Sequence, residues 1–180
     1  MDDKPDIMSA LGGRRGLAGL ALLTAVAFLA FLLLVRQRYM ALELVTTHDT
    51  ATNIQAIWSA IHGSFFTSTI QEYLKPGPHN LLGDQLYFTL LLYAPFWLAF
   101  KTPFTLAVVT IIAFVAGAVP IHMYATEKSG HYGLGLFFAA SYLFNSMAYG
   151  TFFFFGFRPE VLFMPFLLWG LYLVYRGRLI

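Results

Sequence analysis

The sequence contains no cysteine and very little charge. Without Cys among its 180 residues the chain has no disulfides, no thiolate metal site and no thiol nucleophile. Charged side chains make up 11% of it, against roughly 25% in an ordinary soluble domain. So few charges cannot cover a water-facing surface, which excludes a cytosolic globule. The 11 basic and 9 acidic residues nearly cancel, and no long basic run occurs, so a nucleic-acid footprint is absent. There is also no glycine-rich phosphate loop, no nucleophile elbow and no paired-histidine zinc helix.

What is present is apolar. Hydrophobic residues reach 58% and aromatics 18%, with 19 Phe, 10 Tyr and 3 Trp. That much apolar surface must be buried somewhere, which excludes a disordered chain. Residues 16–35, GLAGLALLTAVAFLAFLLLV, carry no charge, and Thr24 is their only polar side chain. At about 1.5 Å per residue this run spans a hydrocarbon core of roughly 30 Å. A cleaved signal peptide has a shorter apolar region and a small-residue cleavage site. Here Arg36, Gln37 and Arg38 follow instead, so an uncleaved anchor is expected.

Four further apolar stretches cover residues 85–100, 104–124, 134–149 and 161–175, each bounded by charges or helix breakers. In lipid every backbone polar group must be satisfied within its segment, so these are read as helices. The expected fold is all-α and polytopic, with about five membrane segments. Lys4, Arg14 and Arg15 favour a cytoplasmic tail over residues 1–15. The expected location is integral to a membrane, with the N-terminus on the cytoplasmic side. Strict alternation then places residues 36–83 outside and sets Glu160 on the face opposite Asp49 and Asp84. Gly117, Pro120, Asn145 and Pro165 fall inside the spans, where such residues serve close packing and kinks.

Residues 36–83 form the one long polar stretch. Within it Ile54, Ile57, Trp58, Ile61 and Phe65 recur at helical spacing. This pattern predicts an amphipathic helix over about residues 50–62, lying along the membrane surface, with Thr47 or Asp49 as N-cap and Gly63 as stop. Lys75-Pro76-Gly77-Pro78-His79-Asn80 reads as a turn. Asp49, Asp84 and Glu160 each stand at a polar–apolar boundary, where a carboxylate faces water yet reaches a lipid-delivered substrate. Each also suits a helix start, as a cap or a favourable charge in the first turn. His48, His79 and Asp84 offer donors for a divalent cation, but with no ligand spacing, so no metal site is expected. His62, His122 and His131 are candidate haem or chlorophyll-magnesium ligands, against the commoner role of a hydrogen-bonded packing histidine. Phe152–Phe155 is read as packing.

Three blocks carry a resemblance. They are Asp49-Thr-Ala-Thr-Asn-Ile-Gln-Ala-Ile-Trp58; Asn80-Leu-Leu-Gly-Asp-Gln85 with Leu92-Tyr-Ala-Pro-Phe96; and Phe155-Gly-Phe-Arg-Pro-Glu160. Their order and separation resemble a prokaryotic family of predicted membrane proteins, domain of unknown function 2079. That family is itself similar to the GT-C glycosyltransferases, polytopic enzymes that take sugars from polyprenyl-phosphate donors. The resemblance covers most of residues 40–178 and corresponds to the N-terminal portion of a longer chain. It implies a GT-C-like N-terminal module, with Asp49 as base or metal-coordinating carboxylate. It further implies Asp84, Gln55, Trp58 and Glu160 as substrate-binding residues and a divalent cation if the protein is enzymatic; Arg158, a natural phosphate partner, and His79 join the substrate-binding set on their chemistry alone. The chain departs from the family pattern at Ile54, where a polar or acidic group is usual. It departs again at Gln85, where the family has His, and at Gly156-Phe157-Arg158, where the family has Asp-Phe-His. Gln85 and Ile54 cannot titrate, and Arg158 stays protonated.

These departures favour a non-catalytic accessory subunit, packed against a larger respiratory, photosynthetic or transport complex. The alternatives are a glycosyltransferase using a polyprenyl-phosphate-linked donor, and a cofactor-carrying membrane subunit. All three readings need a bilayer. The protein should therefore stay in the membrane pellet through an alkaline carbonate wash and be released only by detergent; release by carbonate alone would contradict the anchor.

Overall fold

The computed structural model describes residues 7–43, 48–69, 79–81 and 88–177; the side chains of His48 and His79 lie outside that description. Asp84, Gln85 and the expected turn over residues 75–78 also lie outside the described residues. The described chain is almost wholly helical. A one-turn helix, α1 (Ile7–Ala10), leads into α2 (Gly13–Met40) and α3 (His48–Ile61). Two short strands follow, β1 (Thr67–Ser68) and β2 (His79–Asn80), paired antiparallel with Ser68 opposite His79. Then come α4 (Leu90–Ala99), α5 (Pro103–Ala116), α6 (Ala118–Ser129), α7 (Tyr132–Leu143) and α8 (Ser146–Gly150). A π-helical turn (Thr151–Phe155) and a 3-10 turn (Pro159–Leu162) precede α9 (Phe163–Tyr175).

Two helical runs are long and apolar enough to cross a membrane: α2, with 28 residues, and the α5–α6 run over Pro103–Ser129, with 27. Each reaches about 40 Å at the helical rise, more than the hydrocarbon thickness. The first extends beyond the apolar stretch at both ends, from Gly13 to Met40. The other expected segments are shorter. The helix in the 85–100 stretch has 10 residues, about 15 Å, and contains Pro95. The 134–149 stretch is interrupted after Leu143. There Asn145 caps α8, its Oδ1 accepting from Ala148 N at 2.8 Å. Asn145 therefore serves a helix break, which continues into the π turn.

The chain divides into two compact units. One comprises Met1–Phe31, Ile111–Tyr149 and Phe163–Ile180; the other comprises Leu32–Thr110 and Gly150–Leu162.

In the first unit, α6 packs against α1, α7 and α9. Small residues set the spacing. A methyl group built on Gly135 would lie 2.2 Å from Thr126 Oγ1 and 2.8 Å from the His122 carbonyl oxygen, so α7 approaches α6 as only glycine allows. Gly117 is similarly close to the Tyr142 hydroxyl, which donates to Phe114 O at 3.0 Å. His122 is fully buried, and its Nε2 donates to Leu11 O at 3.2 Å. The most costly element is a buried ion pair. Arg176 Nη2 lies 2.7 Å from Glu127 Oε1, with side chains only 2% and 4% exposed. Tyr172 Oη donates to the same carboxylate oxygen at 2.5 Å. Removing two such charges from water costs several kcal/mol each, which their mutual attraction and hydrogen bonds must offset.

Breaking this pair from one side should be far worse than leaving it whole. Arg176→Met strands the Glu127 carboxylate and should cost about 3–5 kcal/mol. Adding Glu127→Gln should recover part of the loss. Thermal unfolding in mild detergent checks both, and a single variant as stable as the parent would contradict the assignment.

Candidate functional site

The second unit is organised around α3. Asp49 sits in its first turn, where a carboxylate meets the positive end of the helix dipole. The helix stops as the sequence predicts: Gly63 takes φ +89°, and Ser64 N donates back to Ser59 O at 2.9 Å. The apolar stripe is divided by the fold. Ile57 is buried together with Ala56, Phe66, Leu81, Leu90, Tyr93, Leu106, Val109 and Phe157, while Ile54 and Ile61 pack against this cluster. Trp58 and Phe65 point away and are about half exposed. The inward face of α3 thus meets α4 and protein core, with buried Thr52, Asn53 and Ser59 beside the aliphatic residues. The stripe is narrower than the spacing implied because α4 covers only part of it.

Gln55 fastens α3 to β1. Its Oε1 accepts from Ser68 Oγ at 2.9 Å and Thr69 N at 3.0 Å, and its Nε2 donates to Thr69 Oγ1 at 2.8 Å. Both ends of the amide are engaged in holding the helix to the strand. Trp58 stacks on the His62 ring at a centroid separation of 4.2 Å, and His62 Nδ1 lies 2.7 Å from Trp58 O. His79 lies in β2 by its backbone.

Arg158 is the focus of the unit. It follows the phenylalanine run, and its guanidinium lies 3.6 Å from the centre of the Phe155 ring. Its Nη1 is 3.6 Å from Asp49 Oδ2 and 3.9 Å from Glu160 Oε1. These separations are ion-pair distances, longer than hydrogen bonds. The contact brings Asp49 and Glu160 to one cation, against the alternating topology that set them on opposite faces. The described part of the 85–100 stretch forms only the 10-residue α4, about 15 Å long and roughly half the hydrocarbon thickness, so it does not by itself support the alternation. All three side chains are partly exposed, Asp49 by 54%, Glu160 by 48% and Arg158 by 29%. A small cavity of about 10 Å³, room for one water, is lined by residues that include Thr50, Phe155, Gly156 and Phe157, and by none of the three charged side chains.

Two partners of this cluster escape sequence reasoning. Phe155 belongs to a run read as packing, yet its ring carries the Arg158 cation; Phe153 does the same for Arg38 at 4.0 Å. An arginine three residues after an aromatic is the available signal, and a weak one. Tyr93, from the second motif block, packs edge-on against Phe157 at 4.9 Å. Its hydroxyl meets Thr110 Oγ1 at 2.9 Å, and Thr110 donates onward to Leu106 O. Thr110 has one hydroxyl proton, so Tyr93 is the donor in the first bond.

The cluster holds two carboxylates and one guanidinium, a net charge of −1. Such a group can accept a proton from a hydroxyl, orient a phosphate through the planar guanidinium, or bind a hard cation through carboxylate oxygens. Among the described residues, no three His, Asp or Glu side chains converge on one point.

An all-α chain with two membrane-length helices and a separate unit built on an interrupted loop is a helical membrane protein. Residues 38–179 match the family described as predicted membrane protein (DUF2079), and the chain belongs to it. No curated protein and no solved structure matches the chain.

The division of labour within α3 is testable. Gln55→Leu removes three hydrogen bonds and should cost about 1–3 kcal/mol, with faster protease cleavage near residues 63–69. Arg158→Gln breaks only a partly exposed ion cluster and should cost under about 1 kcal/mol. Equal losses in limited proteolysis would refute this ranking.

Proposed function

We propose that this protein handles a lipid-linked, phosphate-bearing substrate at the outer membrane surface, in the manner of a glycosyl transfer, with Asp49 as the base. The observation that carries the reading is the meeting of the first and third motif blocks at Arg158, within 4 Å of both Asp49 and Glu160. The second block adds Tyr93, packed on Phe157 next to Arg158. Segments more than 100 residues apart converge on partly exposed ionisable groups, where a purely structural role would favour apolar packing.

In this reading the acceptor hydroxyl attacks the sugar carbon, and the bond from that carbon to the phosphate oxygen breaks. The polyprenyl phosphate leaves with the electron pair, and Asp49 takes the hydroxyl proton. Arg158 orients the phosphate through its planar fork. The net negative charge of the cluster opposes a phosphate there. Asp49 and Glu160 supply the oxygen donors that a divalent cation prefers, and such a cation would offset the repulsion.

A second reading, the accessory subunit, is favoured by Gln55, whose engagement with β1 gives the first motif block an architectural role. Proteoliposomes supplied with a polyprenyl-phosphate-linked sugar and a lipid acceptor separate the two. Transfer that falls at least 100-fold in Asp49→Asn, without loss of thermal stability, supports the enzyme, since a positioned base contributes roughly that much or more. Unchanged transfer removes Asp49 from the chemistry. Absence of transfer, with a stoichiometric partner retained in mild detergent, supports the subunit.

A further inference from the structure

The first unit carries a concave apolar groove that the proposed chemistry does not use. It lies between α6 and α9, has a volume of about 420 Å³, and is lined by residues that include Ile121, Tyr124, Leu168, Leu171, Tyr172 and Tyr175. Leu168 to Tyr175 rises roughly 10 Å along α9, most of one leaflet's share of the hydrocarbon. Nothing polar lines its length except the tyrosine hydroxyls at one end. One wall is fixed at that end, because Tyr172 donates to the buried Glu127 carboxylate, itself paired with Arg176. The groove is therefore a built surface whose shape is held by charge pairing behind it.

The end of the groove is cationic. Lys128 is exposed, and its Nζ lies 4.9 Å above the Tyr175 ring, which stacks edge-on against Tyr124. Glu127 and Arg176 cancel each other, so Lys128 leaves a net positive charge at the mouth. Leu11 reaches the same end of the unit through His122, and α2 begins there with the exposed Arg14 and Arg15. In water an apolar groove of this size would collapse or attract a partner; in a bilayer it is filled by the surrounding hydrocarbon. A cation beside aromatic rings at the mouth selects which lipid fills it, since each basic side chain near the surface favours an anionic headgroup.

We infer that the α6–α9 groove is a binding site for one anionic phospholipid, with an acyl chain against Ile121, Leu168 and Leu171 and its phosphate at Lys128. The site is distinct from the Asp49–Arg158 cluster, and its failure would leave that reading untouched.

Native mass spectrometry of the protein released from vesicles of equal dioleoylphosphatidylglycerol and dioleoylphosphatidylcholine tests this. One phosphatidylglycerol should be retained in preference to phosphatidylcholine by roughly fivefold. Lys128→Gln should bring the two lipids to parity while a lipid is still retained. Leu171→Trp or Ile121→Trp, filling the groove from opposite walls, should remove the retained lipid altogether; two walls are tested because one variant alone could fail to fold. Equal retention of both lipids by the parent would mark annular lipid only and overturn the proposal. So would undiminished retention in a folded, groove-filled variant.

Discussion

Hydrocarbon offers no hydrogen-bond partners, and the rest of the structure follows from that constraint. Each backbone amide in a lipid-facing segment must pair within its own helix. Each polar side chain there must pair with the protein. Thr24 shows the rule at its smallest: its hydroxyl reaches Leu20 O at 2.8 Å, one turn back on α2. Thr110, Ser129 and Ser141 do the same on their own helices. Where charge is buried, the pairing becomes an ion pair with a second donor to the carboxylate, as Tyr172 joins Arg176 on Glu127. Where the helix itself breaks, a side chain replaces the lost backbone bond, as Asn145 does before α8.

The two units apply the constraint differently. The first buries one ion pair, Glu127 with Arg176, as structure, while Arg14, Arg15 and Lys128 stay exposed. The second keeps Asp49, Arg158 and Glu160 partly exposed, at distances too long for direct hydrogen bonds. Exposed pairs of that kind contribute little to stability. The contrast separates a scaffold network from a candidate site without reference to any relative.

Much of this was legible in the sequence where a local rule decided the outcome. The helix predicted over residues 50–62 forms over His48–Ile61, and Gly63 ends it, because the aliphatic period and a left-handed glycine are local signals. The all-α character follows from apolar runs without alternation. Three features were not legible, each for a non-local reason. Apolar length alone did not show that the helix within residues 85–100 would be only ten residues long. Trp58 and Phe65 belong to the helical stripe, but which part of a stripe is covered depends on where α4 lies. Glu127 and Arg176 each read as charges marking the end of a segment; only packing across 49 residues makes them a buried pair.

The same distinction explains why Arg158 matters more than its place in the motif suggests. Where the family pattern has a histidine, a group that changes charge near neutral pH, this chain has one that does not. A permanent cation cannot serve as acid or base, but it lies within 4 Å of two carboxylates. Resting on the Phe155 ring, it is positioned by the very phenylalanine run that otherwise reads as lipid-facing bulk. At residue 158 the chain therefore carries a fixed charge and no titrating group. On the proposed reading the proton then falls to a carboxylate, and Asp49 sits on a helix fastened at Gln55.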